Sequence, residues 1–99
     1  MNFKELEANV LEWASEKDLL HKSNSMKQYA KVLEETQEIL VALNENNEQE
    51  LIDAIGDTLV TLIILSKQND LNIVECLEVA YNVIKNRTGK TVNGTFIKD

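Results

Sequence analysis

The chain predicts an all-α fold, a bundle of four to five helices with a short C-terminal extended arm or hairpin. Three observations carry that expectation. Proline is absent and the three glycines stand at 56, 89 and 94, so long helices run without a breaker from residue 2 to about 88. Apolar residues recur at three-and-four spacing through most of the chain. Short clusters rich in asparagine, aspartate and serine punctuate those runs where turns are needed.

The first helix is expected from about Asn2 to Asp18, with Phe3, Leu6, Val10 and Trp13 on one face. The polar connector LHKSNS follows, and Ser23, Asn24 or Ser25 offers a cap for a second helix reaching about Asn44. On that helix Met26, Tyr29, Leu33 and Leu40 form an apolar stripe, while Gln28, Lys31, Glu35 and Glu38 line another face. Asn44 to Asn47 reads as a turn, because asparagine tolerates left-handed backbone. The third helix, about Glu48 to Gln68, is apolar nearly all round, which marks a buried element. A fourth helix, capped by Asp70 or Asn72, is expected up to about Thr88 with Gly89 as its stop. Asn93-Gly94 between β-prone runs signals a tight hairpin or an extended arm.

Length and composition bound the rest. Ninety-nine residues, 43% apolar and 27% charged, suit one domain spanning 1–99. A net charge of −7 argues against a nucleic-acid partner, since no basic excess is present to displace counterions from phosphates. The run Leu59 to Leu65 is too short for a bilayer, so no membrane partner is expected. MNFKELEANV carries three charges and no apolar signal core. The lone Cys76, read as a small apolar residue on a helix face, forms no internal disulfide. A cytoplasmic location follows as the expectation.

The chemistry concentrates in six carboxylates: Glu34, Glu35 and Glu38 in one window, Glu50, Asp53 and Asp57 in the next. Like charges three or four residues apart on a helix repel. Two antiparallel helices joined by a short turn would bring Glu35 and Glu38 opposite Asp53 and Asp57. Asp53 and Asp57 also share their side with Val60 and Ile64, so they are expected to face an interior or an interface with something positive against them. Oxygen donors without cysteine or histidine suit Mg²⁺ or Mn²⁺. The competing explanation is neutralisation by the chain's own cations, such as Lys31 with Glu35. Asn82, Lys85 and Arg87 cluster near the end of the fourth helix, where cations either complement the helix dipole or bind phosphate. For Trp13, core packing competes with base stacking. His21 has no partner at ligand spacing.

The order Gln28-x-x-Lys31-x-x-Glu34-Glu35-x-x-Glu38, then Ile55-Gly56-Asp57, then Asn82-x-x-Lys85-x-Arg87, resembles the MazG-type nucleotide pyrophosphohydrolases of the all-α NTP pyrophosphatase superfamily. The likeness runs from about Trp13 to Arg87 and is closest to the small single-domain members. It implies Mg²⁺-dependent hydrolysis of a nucleoside or deoxynucleoside triphosphate to the monophosphate and pyrophosphate, with a metal-activated water attacking the α-phosphorus. Carried over, Glu35, Glu38 and Asp57 are the catalytic and metal-binding carboxylates, with Asp53 as a further ligand. Gln28, Lys31, Asn82, Lys85, Arg87 and Trp13 fall at the substrate. Glu38 or Glu34 is the candidate to orient or deprotonate the water. The resemblance also implies a homodimer or homotetramer. One position departs: the family glutamate three residues before Asp57 is Ala54 here, for which Asp53, or Glu50 in a shifted register, is a substitute. The alternative function is therefore a weak or inactive homologue serving as a helical module that binds a protein or a nucleotide.

Overall fold

The computed structural model describes residues 1–99 as four helices followed by a two-stranded antiparallel hairpin. Helix α1 spans Phe3–Glu16, α2 Ser25–Asn44, α3 Glu48–Gln68 and α4 Ile73–Ile84; strands β1, Gly89–Val92, and β2, Thr95–Lys98, close the chain. The all-α class and the C-terminal hairpin expected from the sequence are both present.

Every helix begins on an asparagine. Asn2, Asn24, Asn47 and Asn72 each accept backbone N–H bonds through the side-chain oxygen, from Glu5, Lys27, Glu50, and the Val74–Glu75 pair respectively. Each cap satisfies a donor that the helix itself leaves free, a contribution of about 1 kcal/mol apiece. The first three helices also end alike. Asp18, Asn46 and Asp70 take left-handed backbone, with φ of 61°, 53° and 56°. The next residue's N–H then bonds back five positions, Leu19 to Ala14, Asn47 to Ala42 and Leu71 to Ser66. These are Schellman closures built on Asx residues in place of glycine.

The α2–α3 antiparallel pair makes most of the helix–helix contact, and α1 packs on α3. Where α2 meets α3, the buried residues of α2 are Gln28, Glu35 and Ala42, spaced two turns apart. The opposite assignment was the natural expectation. The apolar stripe Met26, Tyr29, Leu33, Leu40 lies open, between 49% and 76% exposed, and the polar edge supplies the packed residues Gln28 and Glu35. On α1 the buried residues, Glu7 and Ala14, flank the apolar stripe, of which Phe3, Leu6 and Trp13 stay open. Small residues at the contacts, Ala14, Ala42 and Ala54, let the helix axes approach closely, which selects these faces. On α3, Asp53 and Asp57 are both exposed in the single chain, so neither enters its packed interior, the first of the two placements expected; Ala54 is the buried residue between them.

Helix α4 ends at Ile84, about four residues short of the expected Thr88. The reason is non-local: the Asp99 N–H donates to the Thr88 carbonyl, which draws that residue into the hairpin. Gly89 is not a helix stop. A Cβ there would collide with the Ile97 carbonyl and come within 2.9 Å of Lys98 Cα, so only glycine lets the two strands approach. Asn93 and Gly94, with φ of 52° and 81°, make the tight turn that the sequence announces. No helix is long and apolar enough to cross a membrane.

Candidate active site

Antiparallel packing of α2 on α3 sets one turn of each helix opposite the other. Glu35 and Glu38 come from α2, Asp57 from α3, and one oxygen of each lies within 4.8 Å of the others. Glu35 is buried, whereas Glu38 and Asp57 are exposed. Next to the cluster lies a cavity of about 400 Å³ whose walls include Trp13, Gln28, Lys31, Glu35, Asp57 and Thr61. Glu35 and Asp57 give its wall an anionic part, and Trp13, Leu19, Val60 and Ile64 an apolar one.

Lys31 Nζ stands 3.3 Å from Glu34 and 3.5 Å from Glu35. The hydrogen bond and the charge of Glu34 hold the Lys31 ammonium above its usual pKa, with burial opposing and Glu35 adding to the rise. Glu35 is pushed the other way from a typical paired carboxylate. Burial raises its pKa first, the Glu38 charge raises it further and Asp57 adds to this, with only Lys31 opposing. Its Oε2 is buried without a hydrogen-bond partner. A buried, partnerless carboxylate oxygen is costly, and here it sits among two more carboxylates. A hard divalent cation answers both defects, since it supplies the missing partner and cancels the repulsion. The residues present therefore fit Mg²⁺ or Mn²⁺, with Glu35, Glu38 and Asp57 to hold it.

Gln28 has a structural task. Its buried Nε2 donates to the Thr61 carbonyl at 3.0 Å and ties α2 to α3 at the cavity wall. Trp13 is 48% exposed along the same cavity, so it is not a core residue. The structure thus brings together six of the expected positions: Trp13, Gln28, Lys31, Glu35, Glu38 and Asp57.

Four others stay apart. Asp53 lies outside the three-carboxylate cluster and is exposed. It is one helical turn from Asp57, about 6 Å along the axis. Glu50, its alternative, is exposed too. Lys85 and Arg87 line a different cleft, with Tyr81, Ile84 and Phe96, and Asn82 borders neither cavity. The early end of α4 leaves Lys85 as its C-cap and Arg87 beyond it.

Sequence reasoning missed two residues. Thr61, which interrupts the apolar run of α3, marks the point where α2 docks. Glu7 is buried on α1 and accepts a bond from Asn72 Nδ2 at 3.3 Å; its place four residues after Phe3 and three before Val10, beside the apolar stripe, was the available signal.

Comparison with known proteins agrees with this geometry. The family model of the phosphoribosyl-ATP pyrophosphohydrolases matches residues 3–82. A relative from Haemophilus phage HP1, described as an uncharacterized 18.2 kDa protein in the rep-hol intergenic region, is 33% identical over 73 residues. That alignment takes in 74% of this chain but 45% of the relative, so the chain spans less than half of the relative's length. No solved structure matches significantly. With the match running from α1 into α4 and enclosing all three clustered carboxylates, the chain belongs to the phosphoribosyl-ATP pyrophosphohydrolase family, all-α relatives of the MazG-type enzymes.

Proposed function

We propose that this chain is a Mg²⁺-dependent pyrophosphohydrolase that converts a nucleoside or deoxynucleoside triphosphate to the monophosphate and pyrophosphate. The observation that carries the reading is the buried, partnerless oxygen of Glu35 facing Glu38 and Asp57 beside a nucleotide-scale cavity. Family membership supports the same reaction class.

In this reading Glu35, Glu38 and Asp57 hold the metal. A bound Mg²⁺ supplies charge neutralisation for the phosphate oxygens and acidifies the attacking water. Lys31, raised in pKa and therefore fully charged, meets a phosphate oxygen as a point charge. Trp13 offers a half-exposed indole face against which a base can stack. Gln28 keeps α2 and α3 in register through Thr61, and so keeps the carboxylates opposed. Glu38, exposed, or Glu34, shared with Lys31, orients the water and takes its proton. Water then adds at the α-phosphorus, the bond to the bridging oxygen breaks, and pyrophosphate leaves.

One observation favours a second reading. Ala54, at the position of the family glutamate, is 3% exposed beneath α2 and offers no ligand. A chain lacking that carboxylate would serve as a nucleotide- or protein-binding module without turnover. The test is pyrophosphate release from a panel of ribo- and deoxyribonucleoside triphosphates and phosphoribosyl-ATP, with Mg²⁺ and with EDTA. Mg²⁺-dependent release with the matching monophosphate is expected. A folded sample silent across the whole panel rejects the hydrolase and leaves the module.

A further inference from the structure

Eleven asparagines stand in the chain, and Asn93 is the one followed by glycine. The pairing bears on the chemistry of the carboxamide. Attack on an asparagine's side-chain carbonyl by the next backbone nitrogen closes a five-membered ring. A Cβ on that next residue crowds the approach, and glycine has none.

The fold leaves this nitrogen open as well. Asn93 and Gly94 hold φ of 52° and 81° at the tip of the hairpin, and both are exposed. A Cβ at Gly94 would meet nothing within 4 Å. The Gly94 N–H makes no backbone hydrogen bond, because the ladder closes on the Val92–Thr95 pair and skips the residues between.

Every other asparagine is held back by one of two devices. Asn2, Asn24, Asn47 and Asn72 spend their side-chain oxygens on helix N-termini. For the rest, the next backbone N–H is already bonded. Val10 and Val83 sit inside α1 and α4, while Glu45, Asn47, Asp70 and Arg87 donate to Val41, Ala42, Lys67 and Ile84.

Ring closure requires the turn to open, since a two-residue hairpin fixes both central residues in left-handed backbone. Opening is cheap here. The sheet has only two strands, and all eight of their residues are exposed. An isolated two-stranded hairpin is marginal in water, and such segments open locally at little cost.

We propose that Asn93 is a self-modification site, converted without a catalyst to aspartate and isoaspartate through a ring closed on Gly94. The Gly94 nitrogen gives its proton to base and bonds to Asn93 Cγ, the Cγ–Nδ2 bond breaks, and ammonia leaves. Water then adds to one ring carbonyl. Opening at the side-chain carbonyl gives aspartate, and opening at the main-chain carbonyl gives isoaspartate, whose chain runs through the former side-chain methylene. Either product is a carboxylate at neutral pH, so the net charge moves from −7 to −8. Residues 85–99, with four basic side chains and one acidic, fall from +3 to +2. Isoaspartate also lengthens the main chain by one carbon inside a turn that tolerates no extra atom. The Val92–Thr95 pair is then lost, and with it the register that brings the Asp99 N–H to the Thr88 carbonyl. None of this depends on the pyrophosphohydrolase reading.

The full chain, held at physiological temperature over a pH series beside the free peptide Thr91–Lys98, tests the proposal. Trypsin releases the same segment from the protein by cutting after Lys90 and Lys98. Mass spectrometry follows the amide-to-acid change, and labelling by an isoaspartyl methyltransferase reports isoaspartate. Thr91–Lys98 is expected to convert ahead of every other asparagine-bearing peptide, faster as pH rises. The folded chain should run within roughly thirtyfold of the free peptide, which corresponds to local opening of about 2 kcal/mol at about 1.4 kcal/mol per tenfold. Gly89→Ala, which breaks the hairpin, should close that gap. A segment that keeps its amide while the free peptide converts, or another asparagine that converts first, overturns the proposal. A Gly89→Ala chain that converts no faster than wild type overturns the route through local opening. Ion exchange then separates the aged, more acidic chains. Their isoaspartate fraction should lose amide protection at Val92 in hydrogen exchange, and protection retained there overturns the structural consequence.

Discussion

Replacing Glu35 by glutamine isolates the electrostatic cost of the carboxylate cluster. Like charges 4.8 Å apart repel by roughly 1 kcal/mol at the dielectric of water and roughly 3.5 kcal/mol at an effective value of 20. Glu38 and Asp57 are exposed while Glu35 is buried, so each of its two repulsions falls toward the lower figure. Lys31, at 3.5 Å, offsets part of this, and it keeps Glu34 at 3.3 Å when Glu35 loses its charge. A net gain of roughly 1–2 kcal/mol at neutral pH in EDTA follows, or roughly 4–8 °C in Tm for each kcal/mol. The pH dependence has a definite sign. Glu35 has a raised pKa in the folded chain, so the native state holds its proton more tightly than the unfolded state. The wild type therefore suffers no penalty below the ordinary carboxylate pKa of about 4. It loses stability as pH rises through the raised native value. The gap between Glu35→Gln and wild type should be near nothing at the acid end and open on the way to neutrality. With saturating Mg²⁺ the order reverses, because only the wild type keeps the full ligand set and gains from binding. Thermal melts of both proteins across pH, in EDTA and in Mg²⁺, check this. A Glu35→Gln protein that melts lower than wild type in EDTA at neutral pH refutes the reasoning.

Four other substitutions separate the roles assigned here. Asp57→Asn should abolish Mg²⁺-dependent turnover and most of the Mg²⁺-induced rise in Tm, whereas Asp53→Asn, outside the cluster, should leave both intact; equal losses would return Asp53 to the site. Gln28→Ala removes the buried bond to the Thr61 carbonyl and should lower stability by about 1–2 kcal/mol in chemical denaturation, with no change pointing to a contact made only with substrate. Gly89→Ala drives a methyl group into the opposite strand and should abolish amide protection of Thr91 and Val92 in hydrogen exchange, with the signals of α2 and α3 unmoved.

What the sequence revealed and what it hid divide along local and non-local lines. The range of α3, the Asx stops and the Asn93–Gly94 turn are decided by neighbours a few residues away, and all were legible. The docking faces of α1 and α2 were not. Periodicity shows that Met26, Tyr29, Leu33 and Leu40 share a side, but the side that packs within the chain is chosen by close approach at Ala42 and Ala54, on a face that also carries Gln28 and Glu35. A rule that puts the apolar stripe inward fails where small residues on another face let the helices approach more closely. The candidate site was legible in its acids, because Glu35, Glu38 and Asp57 need only antiparallel pairing to meet. Asp53 was misplaced because one turn of helix phase lies below what spacing resolves. The end of α4 depended on a hydrogen bond from the last residue of the chain.

The short turn between α2 and α3 also bears on how quickly the chain folds. Most helix–helix contact joins these two neighbours across the three residues 45–47, so loop closure is cheap and the pair is the natural nucleus. With no proline anywhere, prolyl isomerisation adds no slow phase. The acidic cluster spans that same pair, so its charges meet in the transition state before the rest of the chain arrives. Relief of their repulsion, by protonation, by glutamine or by a divalent cation, then acts on the folding rate and leaves the unfolding rate nearly unchanged. A divalent cation held by these acids would then speed folding as well as stabilise the folded chain.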